Sequence, residues 1–147
     1  ARKAALEERV ARLGLTSVRF LGYQPRELLS ETLSSGHVHV IGLGAGLAGY
    51  VVPSRAYGVL AAGRPVIVAA DEESETSALV REAGCGWAIP PGDPAALADA
   101  IREAHACRDE LEELGRRGRE HVVAHYDRGI AVERYRELLL SLLEGRP

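Results

Sequence analysis

A chain of 147 residues, 46% hydrophobic and 27% charged, holds enough apolar material for one domain around one core and too little for two. The net charge of -3 and the isoelectric point near 6.0 leave no general basic field to grip a nucleic-acid backbone. Cys85 and Cys107 are too few for a disulfide framework or a zinc site. No apolar run reaches the roughly 18 residues of a membrane span, and no signal peptide precedes the first helix, so the expectation is a soluble, cytoplasmic protein.

In chain order, Leu6, Val10 and Leu13 recur at helical spacing and Gly14 stops them, which predicts an amphipathic helix over 2–13. Val18-Arg19-Phe20-Leu21-Gly22 predicts a short strand, and Pro25 opens a helix to about Leu33 that ends at Gly36. His37 to Ile41 predicts the next strand. Glycine then recurs at Gly42, Gly44, Gly46 and Gly49, and a helix begins at Ser54. Pro65 to Ala70 is apolar almost throughout, as a parallel strand buried on both faces must be.

Ser74 caps a helix to about Arg81, with Ser77 where a capping box would carry Glu, and Gly84 stops it. Trp87 to Ile89 predicts a last strand, and Pro90-Pro91-Gly92 turns the chain. Asp93 caps a helix with Pro94 at its first position, along which Leu97, Ile101 and His105 share a face. Two helices follow, over about 109–124 and 128–144. Strands alternating with helices through short loops predict an α/β fold with a parallel sheet, in one domain over 1–147 without internal repeats.

Strand, glycine loop, short helix and strand in that order place helix-start amides beside a sheet end, where phosphates bind. Gly44, Gly46 and Gly49 let main-chain amides approach an anion without Cβ interference, and Ser54 starts the helix that points its amides the same way. The same glycines would also serve a tight strand-to-helix turn. Their spacing matches neither the dinucleotide fingerprint nor a P-loop. Arg55, in the first turn, could fork onto a diphosphate or remain a solvated arginine. Asp71, Glu72, Glu73 and Glu75 crowd the next helix start, where they could accept bonds from sugar hydroxyls or complement the helix dipole. His37 with His39, and His121 with His125, lack a third metal ligand of convincing spacing, so no metal is expected. Cys85, between two glycines, reads as a packed residue with no histidine to activate it.

With these residues in hand, the chain resembles the C-terminal, donor-binding domain of a GT-B glycosyltransferase of family 4, whose members are retaining enzymes. Val18-Arg19-Phe20-Leu21-Gly22-Tyr23 is similar to that family's VxFxG strand, Ala61-Ala62-Gly63-Arg64-Pro65-Val66 to its AxGxPV segment, and Gly86 to Asp93 to its GxxxxPGD turn. The resemblance implies a Rossmann-like sheet of order 3-2-1-4-5-6 in which this chain supplies the third to sixth strands. The chain is then expected to be an excerpt of a longer, bacterial enzyme. Strand 3 would pair directly with strand 4, or another chain would fill the gap, and self-association through open sheet edges is a further outcome.

The resemblance also implies a nucleoside diphosphate sugar as donor, such as a UDP- or GDP-sugar, with no cofactor and hexosyl-type transfer. The partner is an N-terminal acceptor domain across a cleft, and the parent enzyme could associate peripherally with a membrane. Many members carry paired glutamates at positions that fall here on Tyr50 and Gly58, neither of them acidic. A subgroup with a PSK/R-x-Y-G stretch is closer, which assigns donor binding to Gly44, Gly46, Gly49, Ser54, Arg55 and Tyr57. The catalytic contacts implied are Arg55 on the departing diphosphate and Glu75 on the donor sugar. A nucleotide-sugar epimerase of the same architecture and a non-catalytic binding or assembly module are the alternatives.

Overall fold

The computed structural model describes residues 2–143. In chain order these form α1 (Arg2–Arg12), a 3-10 turn (Arg26–Leu28) leading into α2 (Leu29–Ser34), β1 (His39–Gly42), α3 (Arg55–Ala61) and β2 (Val66–Ala69). There follow α4 (Glu75–Ala83), β3 (Gly86–Ile89), α5 (Pro94–Ala106), a second 3-10 turn (Arg108–Glu110), α6 (Leu111–Tyr126) and α7 (Arg128–Leu143).

The sheet has three strands in the order β1-β2-β3, all parallel, with His39 opposite Val66 and Val66 opposite Gly86. β2 is central, and its Val66, Ile67 and Val68 are each at most 1% exposed, as a strand covered on both faces requires. Side chains alternate across a strand. Val66 and Val68 join Ile41 in the core formed with Val59 and Leu60 of α3, Leu79 and Val80 of α4 and Val122 of α6. Ile67 points to the opposite face, where Ile101 and Ala104 of α5 meet it around a cavity of about 680 Å³ that also reaches Val40 at the open edge of β1.

Local chemistry explains the boundaries. Ser74 is an N-cap whose Oγ accepts from the Ser77 amide at 3.2 Å and donates to the Ser77 hydroxyl at 3.0 Å, while the Ser74 amide, which a capping-box glutamate would hold, donates instead to Asp71 O at 3.0 Å. Gly84 closes α4 at φ +55°, in the left-handed region that a residue with a Cβ resists. Asp93 caps α5 by accepting from the amides of Ala95 and Ala96, each at 2.9 Å. On α5 it is Ala100 and Ala104 that are buried, whereas Ile101 of the expected Leu97-Ile101-His105 face is 49% exposed.

One expected element does not form. Residues 18–22 are extended but not a strand, and among the described residues no backbone hydrogen bond ties them to the sheet. The cause is a missing neighbour: a strand is defined by its ladder, and β-branched or aromatic residues alone cannot make one. Among the described residues the sheet therefore has three strands rather than four, and the segment over 18–22 does not pair with β1.

Candidate functional site

The carboxyl ends of β1 and β2 converge on the loop between β1 and α3 and on the segment between β2 and α4. The ladder continues past the strands, with Leu43 N donating to Ala69 O at 2.9 Å and Ala70 N to Ile89 O at 3.1 Å. Both loops therefore leave the sheet from fixed points. Gly46 and Gly49 take φ values of +75° and +78°, which only glycine adopts without strain. Tyr50 N and Val51 N both bond back to Leu47 O at 3.2 Å, rounding the loop off before α3.

The amides of Gly44, Ala45, Leu47, Ala48 and Gly49 have no partner among the described residues. They form a group of unsatisfied donors on an exposed loop, the raw material of an anion cradle. Gly46 is the exception: its amide donates to Asp71 Oδ2 at 2.8 Å, across a separation of 25 residues.

The expected site residues fall into two groups. Gly44, Gly46, Gly49, Ser54 and Arg55 lie along one continuous path through the loop into the first turn of α3. Ser54 is the residue before α3 but its side chain makes no capping bond, because its backbone is already in the right-handed helical region. Arg55 is exposed and has no ion-pair or hydrogen-bond partner among the described residues, whereas Arg81 is committed to Glu72 O at 2.8 Å. Arg55 is thus the unspent cation of the loop.

Tyr57 and Glu75 form the second group. The Tyr57 ring packs on Tyr126 of α6 with centroids 4.9 Å apart, and His121 sits 6.1 Å from Tyr126. Burial pushes the Tyr57 hydroxyl above its ordinary value, and Tyr126 and Glu75 add to the rise. Tyr126 rises for the same first reason, burial, with Glu75 and Glu82 behind it. Both phenols hold their protons and can donate hydrogen bonds. Tyr126 is the member of this group that the sequence did not suggest, since its only signal there is an aromatic residue at a helix end. Thr76, in the first turn of α4, is 2% exposed with its hydroxyl unpartnered by protein.

A cleft of about 520 Å³ lies beside this region, lined by Asp71, Glu72 and Glu73, by Ile89, Pro90 and Pro91, and by Ser77 and Arg81. It sits at the carboxyl end of β2 and β3, the edge where open α/β sheets bind ligands. Tyr50 is 86% exposed, and Gly58 packs near Leu33. Among the described residues no group of three His, Cys, Asp or Glu side chains is arranged to hold a metal.

Comparison with known proteins agrees with this architecture. A probable glycosyltransferase, WbjE, of Pseudomonas aeruginosa is 34% identical over 142 residues, which cover 97% of this chain and 34% of that protein. The sucrose-phosphate synthase of Thermosynechococcus elongatus superposes with a TM-score of 0.75 at 28% identity, over 95% of this chain and 35% of the other. The chain thus spans about a third of the length of each relative. A family profile described as glycosyl transferases group 1 matches residues 1–121, and by that match the chain belongs to the glycosyl transferases group 1 family.

Proposed function

We propose that this chain is the donor-binding domain of a sugar-transferring enzyme and that its ligand is a nucleoside diphosphate sugar. The observation that carries the reading is the set of loop amides at Gly44, Ala45, Leu47, Ala48 and Gly49, without a partner among the described residues, in the loop that leads into the helix where Arg55 is unpaired. Amides and a guanidinium in that order suit the charge that builds on a departing diphosphate. Glu75 at the start of α4, with the protonated Tyr57 of α3 and Tyr126 at the end of α6, offers one acceptor and two donors for sugar hydroxyls.

The proposed mechanism is electrostatic. Arg55 and the loop amides stabilise the leaving diphosphate more than the intact donor, which lowers the barrier without a covalent step on this domain. Glu75 orients the sugar. The acceptor and the remaining catalytic contacts come from a second α/β half, in keeping with relatives about three times as long.

The test is to titrate UDP, GDP and their sugars into the chain and follow backbone NMR shifts, which register even millimolar binding. Saturable shifts at 44–55 are expected, and Arg55→Ala should weaken them about tenfold or more, the usual worth of a charge-assisted bond. No saturable binding of any of these ligands by the wild type, or an Arg55→Ala variant with unchanged affinity, would overturn the reading.

A further inference from the structure

We propose that Asp71 is a positioning residue for the glycine loop: its carboxylate holds the Gly46 amide and so presets the loop that receives the donor diphosphate. The inference rests on the donor-site reading above but adds a residue and a role that the reading does not contain.

The loop from Leu43 to Ser54 is exposed along most of its length. Its internal bonds, from Tyr50 and Val51 to Leu47, stay within the loop, while Leu43 N and Ala56 N fix only its two ends. Between those ends the Gly46–Asp71 bond is its single hydrogen bond to the rest of the chain among the described residues. A glycine-rich segment gives up more backbone entropy on ordering than any other, on the order of 1–2 kcal/mol per residue, so one tether inside it decides how much of that cost is met before a ligand arrives.

Asp71 is suited to hold a loop because its own backbone is fixed. It follows Ala70, whose amide bonds to Ile89 O, and its carbonyl accepts from Ser74 N at 3.0 Å. It thus hangs from the sheet on one side and from the cap of α4 on the other. The carboxylate takes one amide and leaves those of Gly44, Ala45, Leu47, Ala48 and Gly49 free. A carboxylate beside a diphosphate also repels it, so the residue works by placing the loop and not by touching the ligand.

Two substitutions separate placement from charge. Asp71→Asn keeps an acceptor oxygen for the Gly46 amide and removes the negative charge, whereas Asp71→Ala removes both. Exchange of the Gly46 amide and the amplitude of fast backbone motion over 43–54, measured by NMR on the ligand-free chain, should rise several-fold in Asp71→Ala and stay near the wild-type level in Asp71→Asn. UDP or GDP affinity should fall about three- to tenfold in Asp71→Ala and stay at or above the wild-type value in Asp71→Asn. Unchanged loop dynamics in Asp71→Ala overturn the proposal. So does an equal loss of affinity in both variants with an undisturbed loop, which would make Asp71 a direct ligand contact. If the wild type binds no nucleotide, the donor-site reading fails while the ligand-free measurements still decide whether Asp71 anchors the loop.

Discussion

At the scale of single residues, the two cysteines differ in environment although the sequence gives them equal weight. Cys85 is fully buried at the sheet, and its thiol is pushed from 9.0 up to about 11, chiefly by burial. A folded-state value above the unfolded one means that the contribution to stability is intact below about pH 9 and is lost as pH climbs through about 11. Two units correspond to roughly 2–3 kcal/mol. The urea midpoint of the wild type should therefore fall further between pH 8.5 and 10.5 than that of Cys85→Ala, in which only the tyrosines contribute to the drop. At pH 8 a maleimide should label the half-buried Cys107 and spare Cys85 until the chain unfolds. The packed role of Cys85 could be read from its glycine neighbours. The Asp71–Gly46 bond could not, because a contact between residues 25 apart leaves no periodic trace in a sequence.

Between elements, α6 packs tightly on α3 and the turn after it. A Cβ built on Gly115 would lie 2.0 Å from Gly63 O, and one on Gly118 would lie 2.7 Å from Leu60 Cδ2 and 2.9 Å from Cys85 Cβ. Alanine would add about 1 kcal/mol of helix propensity at either position. The clash outweighs that gain, and most at Gly115, where the obstacle is backbone. Gly115→Ala should lower stability by at least ~2 kcal/mol and Gly118→Ala by less, because its obstacles are side-chain atoms 2.7 and 2.9 Å away and not a carbonyl at 2.0 Å; thermal unfolding of both variants checks the order. The same contact brings Tyr126 to Tyr57, so Gly115→Ala should also disturb nucleotide binding if that aromatic pair borders the site.

Caps at Ser74, Gly84, Asp93 and Pro94, and the apolar strand at Val66–Ala69, were legible because each is a local signal acting within one turn or one pleat. Residues 18–22 misled for the complementary reason. They carry strand-like side chains, and only a neighbouring strand could have turned that preference into a ladder. Tyr126 was missed because its role depends on where α6 crosses α3, which the small residues at Gly115 and Gly118 determine.

For the whole molecule, the packed body runs from β1 to α6, while α2 and α7 bury no residue. Leu21 and Tyr23 are 75% and 95% exposed. Leu21→Ser and Tyr23→Ser should leave the unfolding free energy within about 0.5 kcal/mol of wild type, whereas Leu60→Ala, in the centre of the core, should cost about 2–5 kcal/mol. A large loss in Leu21→Ser would mean that the segment is packed in solution. No helix among the described residues is long and apolar enough to cross a membrane.

The strand order also has a kinetic meaning. Because β1, β2 and β3 neighbour one another in space as they do along the chain, each ladder closes a single helix-containing loop and none must wait for a distant segment. Assembly can then proceed in the direction of synthesis, β1 with β2 and then β3, around a centre that forms once and opens last. The amides of Val66 to Ala69 should accordingly be the slowest in the chain to exchange with solvent, with those facing the outer edges of β1 and β3 exchanging first.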